Sequence, residues 1–100
     1  MPVDYLAETL LTFGRIPIAS YARPGGEDLA KSIASYLPDC RAVILERHGA
    51  ITWGESAEEA LSLMEQLEQA ALILRDAFLM GHPRPLPEQE RRAILERREP

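Results

Sequence analysis

One hundred residues, 46% of them hydrophobic and with a net charge of −5, make one small domain and argue against a disordered chain. The negative balance argues against a nucleic-acid backbone as the main ligand, because no surplus of positive charge is present to release counterions. A domain this small hides roughly 60 to 65% of its unfolded surface, so a partner subunit or partner chain would add considerably to its stability.

The first stretch, MPVDYLAETLLTFG, has no basic region followed by a long apolar core and no small-residue cleavage site. No apolar run in the chain approaches about 18 residues. The expectation is an unprocessed, soluble protein with no membrane partner. The single cysteine, Cys40, cannot form an intrachain disulfide, which fits a reducing, cytoplasmic setting. Within this stretch Leu6, Ala7, Leu10 and Leu11 have helical spacing over Asp4 to Thr12, and Gly14 marks the end. Ile16 to Tyr21 is extended, and Pro17 confines it to an edge or a first strand position because proline cannot donate to a ladder. Pro24, Gly25 and Gly26 form a turn with positive-φ residues available. Glu27 and Asp28 then open a helix, where the macrodipole favours them. Leu29, Ile33, Ala34 and Leu37 would be its buried stripe, and Pro38 stops it.

Ala42 to Leu45 is a continuous apolar run, as expected of a strand covered on both faces, and Ala50 to Trp53 is a second. Glu46, Arg47, His48 and Gly49 between them suit a tight antiparallel connection, which would display His48 at a strand end. Ser56 and Glu59 have capping-box spacing, hydroxyl and carboxylate satisfying backbone N–H groups reciprocally. The helix they open carries Ala60, Leu61, Met64, Leu67, Ala71, Leu74 and Phe78 on one stripe and Leu63, Ala70 and Ala77 on another. So wide an apolar arc packs on two neighbours, and Gly81 is placed to end the helix in the left-handed region. Residues 82–87, HPRPLP, read as a stiff linker and EQERRAILERR as a short charged helix with little core. The division is thus a domain over 1–83 and a charged helical tail over 84–100.

Of the residues able to carry chemistry, His48 is the most suggestive. It is either a turn histidine with ordinary solvent contact, or a metal ligand or general base on a rigid strand end, with Gly49 making room beside it. His82 and Cys40 lack metal-ligand spacing to it, and one imidazole does not make a zinc site. The glycines of RPGG read as a turn rather than an anion cradle, since no P-loop lysine follows. Tyr36 fits packing at a helix end, and pattern alone assigns no role to Tyr5. No nucleophile-elbow, P-loop or H-E-x-x-H motif is present.

Taken as a set, YARPGGEDLAKSIASYL, AVILERHGAITWGESAEEAL and MEQLEQAALILRDAFLMG closely resemble the C-terminal half of the class II aldolase and adducin family, over about Pro2 to Leu95. The resemblance implies half of that family's sheet packed with helices in a three-layer α/β/α arrangement, with an antiparallel strand pair around His48. It implies that His48, in the family's HG motif, is one histidine ligand of a divalent metal, usually zinc, acting as a Lewis acid on a sugar-derived enediolate. A tyrosine that reaches into the neighbouring subunit's site donates a proton in the aldolases, and Tyr5 stands at about the matching position, one residue off in spacing. In the family an N-terminal half carries an H-x-H pair of metal ligands, the catalytic glutamate and the phosphate site. The expectation is therefore the C-terminal part of a metal-dependent sugar-phosphate aldolase or related 4-epimerase, inactive alone, partnered by further copies or by the missing half. The alternative is a non-catalytic, adducin-like assembly module.

Overall fold

The apolar run Ala42–Leu45 becomes the middle strand of a three-stranded sheet. A computed structural model describes residues 1–98, with the elements α1 (Ala7–Phe13), β1 (Ile18–Ala19), α2 (Glu27–Ala34), β2 (Ala42–Leu45), β3 (Gly49–Thr52), α3 (Ala57–Met80) and α4 (Glu88–Arg97). The fold is α/β, and the strand order is β1-β2-β3. β1 runs parallel to β2, with Ile18 opposite Ile44 and Ala19 opposite Leu45. β3 runs antiparallel to β2, from Ala42 opposite Thr52 to Leu45 opposite Gly49. Ala42 and Val43 point to opposite faces, and both are wholly buried. The sheet is thus covered on both sides where β2 begins, as a continuous apolar run requires. Pro17 lies just outside the short edge strand, and its carbonyl accepts the Ile44 N–H at 2.9 Å.

The core forms where β2 meets α1 and α3: Phe13, Ile16, Ala42, Leu63 and Leu67, with Met64 and Ile44 half-buried against them. Leucine side chains removed from water this completely contribute on the order of 2 kcal/mol each. Thr52 ties β3 to α3 by donating its hydroxyl to the Ala60 carbonyl at 2.7 Å. Gly14 ends α1 with φ 72° and returns its N–H to the Leu10 carbonyl. A methyl at Gly14 would overlap only the end of the flexible Arg98 side chain, which can move aside, so it is the backbone conformation that calls for glycine there. α4 has no fully buried residue and is held to the first segment by polar contacts. The Leu86 N–H donates to the Asp4 carbonyl at 2.6 Å, and Arg91 Nε lies 3.1 Å from Asp4 Oδ1.

Several expectations are corrected. α2 forms but ends at Ala34, short of Leu37 and the expected stop at Pro38, and it buries none of its stripe: Leu29 and Ile33 are half-buried, and Ala34 and Leu37 are exposed. On α3 the buried residues are Leu63, Leu67, Ala70 and Leu74, an arc that takes members from both expected stripes, while Leu61 and Phe78 face solvent. Gly81 has φ 176°, extended backbone open to any residue, so it does not end α3 in the left-handed region. The capping box is half formed. Ser56 Oγ accepts the Glu59 N–H at 3.0 Å, but the Glu59 carboxylate reaches the Glu55 N–H and Arg41 instead of closing on Ser56. Among the described residues no helix is long and apolar enough to cross a membrane.

Candidate functional site

The hairpin between β2 and β3 turns through Glu46, Arg47 and His48, and the turn is closed by the His48 N–H donating to the Leu45 carbonyl at 2.9 Å. Arg47 takes a positive φ of 64°, and Gly49 follows at 144°. Apart from its chain neighbours, a side chain at Gly49 would meet nothing within 4 Å, so the glycine there serves the backbone conformation. His48 is displayed and exposed at the strand end, where the apolar runs and the glycine place it.

Its ring is nevertheless held. Nε2 lies 2.6 Å from the Ala22 carbonyl oxygen; since a carbonyl can only accept, Nε2 is the donor of this bond, and in the neutral imidazole that leaves the lone pair on Nδ1. The Tyr21 ring stacks on the imidazole, with centroids 5.5 Å apart and planes 4° from parallel. Both partners come from the segment after β1, and register explains why. β1 pairs with β2 at an offset of 26 residues, the same offset that separates Ala22 from His48. The parallel alignment thus continues beyond the strands and brings Tyr21 and Ala22 level with the turn. Sequence reasoning missed both residues, because no local pattern encodes the register of a parallel pair.

The other candidates lie elsewhere. Tyr5 is half-buried and set edge-on to Phe78 near the end of α3, with centroids 5.3 Å apart and planes at 70°; no described contact joins it to His48. Cys40 is buried and His82 is exposed. Among the described residues no three of His, Cys, Asp and Glu converge on a point able to hold a metal ion. His48 is therefore suited to supply one donor, but this donor set does not by itself fit a divalent cation. A cleft of about 850 Å³ opens beside Arg41, at the far end of β2 from His48. Arg41 pairs there with Glu59 at 3.1 Å, and burial, together with the charge of Arg41, lowers the Arg98 pKa from its ordinary value. Asp39, Glu55 and Glu59 share the lining with these two guanidinium groups, so the cleft has no positive surplus with which to seat a phosphate.

Comparison with known proteins gives this geometry a context. Residues 1–74 match the family model described as the Class II Aldolase and Adducin N-terminal domain. The 3-oxo-tetronate 4-phosphate decarboxylase of Escherichia coli strain K12 is 35% identical over 72 residues, which is 72% of this chain and 32% of that protein. The L-fuculose phosphate aldolase of Haemophilus influenzae is 31% identical over 80 residues, 80% of this chain and 37% of that protein. Among solved structures, YgbL of Escherichia coli superposes with a TM-score of 0.82 at 29% identity, covering 94% of this chain and 45% of that one. The chain thus spans about a third of the length of the curated relatives it matches.

Proposed function

Because the chain belongs to the class II aldolase and adducin family, we propose that it is the C-terminal portion of a metal-dependent carbon–carbon lyase acting on a sugar phosphate, in which His48 supplies one metal donor. Aldol cleavage and loss of carbon dioxide from a 3-oxo acid, the reactions of the two enzymes it resembles, share one demand. Each leaves an electron pair on a carbon next to a carbonyl, and the charge that develops on that oxygen must be stabilised. The observation that carries the reading is the state of His48. A histidine that ligates a metal almost always donates its other ring N–H to a carbonyl or carboxylate, which sets the tautomer, and here Nε2 donates to the Ala22 carbonyl.

The remaining donors come from outside this chain, from a complementary portion of the domain or from further copies. Zinc is the proposed cation, and the cytoplasm the proposed compartment. The helices would cover both faces of the completed sheet in three layers, and Tyr5 would act as a proton donor in a neighbouring subunit's site. The test is metal analysis and a lyase assay on the chain alone and after mixing with the complementary portion of a family domain. The chain alone is expected to retain little zinc and to cleave nothing. The mixture should bind zinc and turn over sugar phosphate, lose both with His48→Ala, and keep zinc but lose turnover with Tyr5→Phe. Stoichiometric zinc in the isolated chain, or metal retention indifferent to His48→Ala, would overturn the donor role. A non-catalytic assembly module is the second reading, favoured by the incomplete donor set; complex formation without zinc uptake would support it.

A further inference from the structure

His48 stands on an exposed turn with open space beside Gly49, and nothing in the hairpin itself fixes its ring. One hydrogen bond is not enough, because on an exposed turn water competes for Nε2, and an imidazole that leaves the carbonyl is free to turn and to exchange tautomers. The second restraint comes from the face of Tyr21, 5.5 Å away and 4° from parallel.

We propose that Tyr21 is a positioning residue for His48: its ring stacks on the imidazole while the adjoining Ala22 carbonyl takes the Nε2 proton, and together they hold the tautomer and plane that turn Nδ1 outward as a donor. The metal purpose rests on the reading given under Proposed function, but the restraint on the ring stands independently of it. Two features separate this role from ordinary packing. Tyr21 is 52% exposed, so it adds little to the core. Its hydroxyl makes no hydrogen bond among the described residues, so the flat face is what acts, and phenylalanine should replace it.

The test is long-range proton–nitrogen NMR of the labelled, metal-free chain at about pH 8, where an ordinary imidazole is neutral, with His82→Gln present so that only one imidazole reports. In the parent, Nδ1 should be pyridine-like and Nε2 pyrrole-like. Tyr21→Phe should keep that pattern, and Tyr21→Ala should average the two nitrogens. If Tyr21→Ala fails to fold, Tyr21→Leu, which has bulk but no flat face, takes its place with the same expectation. Mixed tautomers in the parent, or an unchanged pattern in the alanine or leucine variant, would overturn the proposal. In the complemented pair, Tyr21→Ala should weaken zinc binding by about tenfold or more, as loss of an orienting partner does, and Tyr21→Phe should not. Zinc binding indifferent to His48→Ala, with the NMR pattern as expected, would sink the donor reading while leaving the positioning role intact. Zinc binding that needs His48 but ignores Tyr21→Ala would sink the positioning role alone.

Discussion

Arg47 holds a left-handed φ of 64°, a region in which a side chain with Cβ is strained by about 1–2 kcal/mol. Glycine would remove that strain but would give back about 0.4–1 kcal/mol through the greater freedom of the unfolded chain. The strain is the larger effect. Arg47→Gly should therefore stabilise the protein by about 0.5–1 kcal/mol, raising the midpoint of thermal unfolding by several degrees. An unchanged or lowered midpoint would show that contacts of the arginine outweigh the backbone. The same turn shows how far single residues could be read. His48 was legible because a histidine followed by glycine between two apolar runs has few places to go. Tyr21 and Ala22 were not, since their role comes from an alignment with residues 26 positions away.

α3 begins with Ser56, whose hydroxyl accepts the Glu59 N–H at 3.0 Å and so satisfies one of the orphan donors of the first turn. Ser56→Ala should cost about 1 kcal/mol, seen as a lower denaturant midpoint with an unchanged slope. Glu59→Gln should cost less, because its bridge to Arg41 is partly exposed. A serine variant as stable as the parent would mean that packing and the Thr52 hydroxyl hold α3 without its cap. The existence and type of α1, α2, α3, β2 and β3 were readable from apolar spacing, β1 from the place of Pro17, α4 from its charged run, and Gly14 from its position after a helical period. Which arc of a helix is buried was not. α3 is apolar around much of its circumference, and the sheet's position selects Leu63 and Ala70 over Leu61 and Phe78. α2 shows the converse: its apolar stripe is clear in the sequence and finds no full cover in this chain.

The accessible surface is 7143 Å² for 11.2 kDa, where a folded monomer of that mass exposes about 5,700 Å². The radius of gyration is 14.3 Å against about 13 Å for a domain of this length. The excess, roughly 1,400 Å², exceeds one side of a standard protein interface, about 800 Å². Apolar residues contribute to it: Ile18 on the edge strand, Leu61 on α3, and Leu79 and Met80 at its end. Light scattering at micromolar concentration should give a mass above 11.2 kDa, or a shift to a defined complex when the complementary portion is added. A monodisperse monomer that ignores the added portion would mean that this surface tolerates water. This excess surface was legible in outline from length and from the wide apolar arc of α3, whereas its extent depended on how little of α2 is buried.

α2 links β1 to β2, yet it has no buried residue and its N-cap, Gly26, offers no side-chain hydrogen bond. Such a segment opens locally at a small fraction of the free energy of global unfolding. Its amides should exchange with deuterated solvent far sooner than those around Leu67 and Leu74 on α3, and equal protection would refute this. Opening of α2 would also loosen the chain between it and β1, a strand of two residues tied to its neighbour through the carbonyls of Ala19 and of Pro17 just before it, which accept from Glu46 and Ile44. Tyr21 and Ala22 lie on that chain. The orientation of His48 should therefore persist only as long as α2 stays closed, and a partner that clamps α2 would lengthen that lifetime without touching the imidazole.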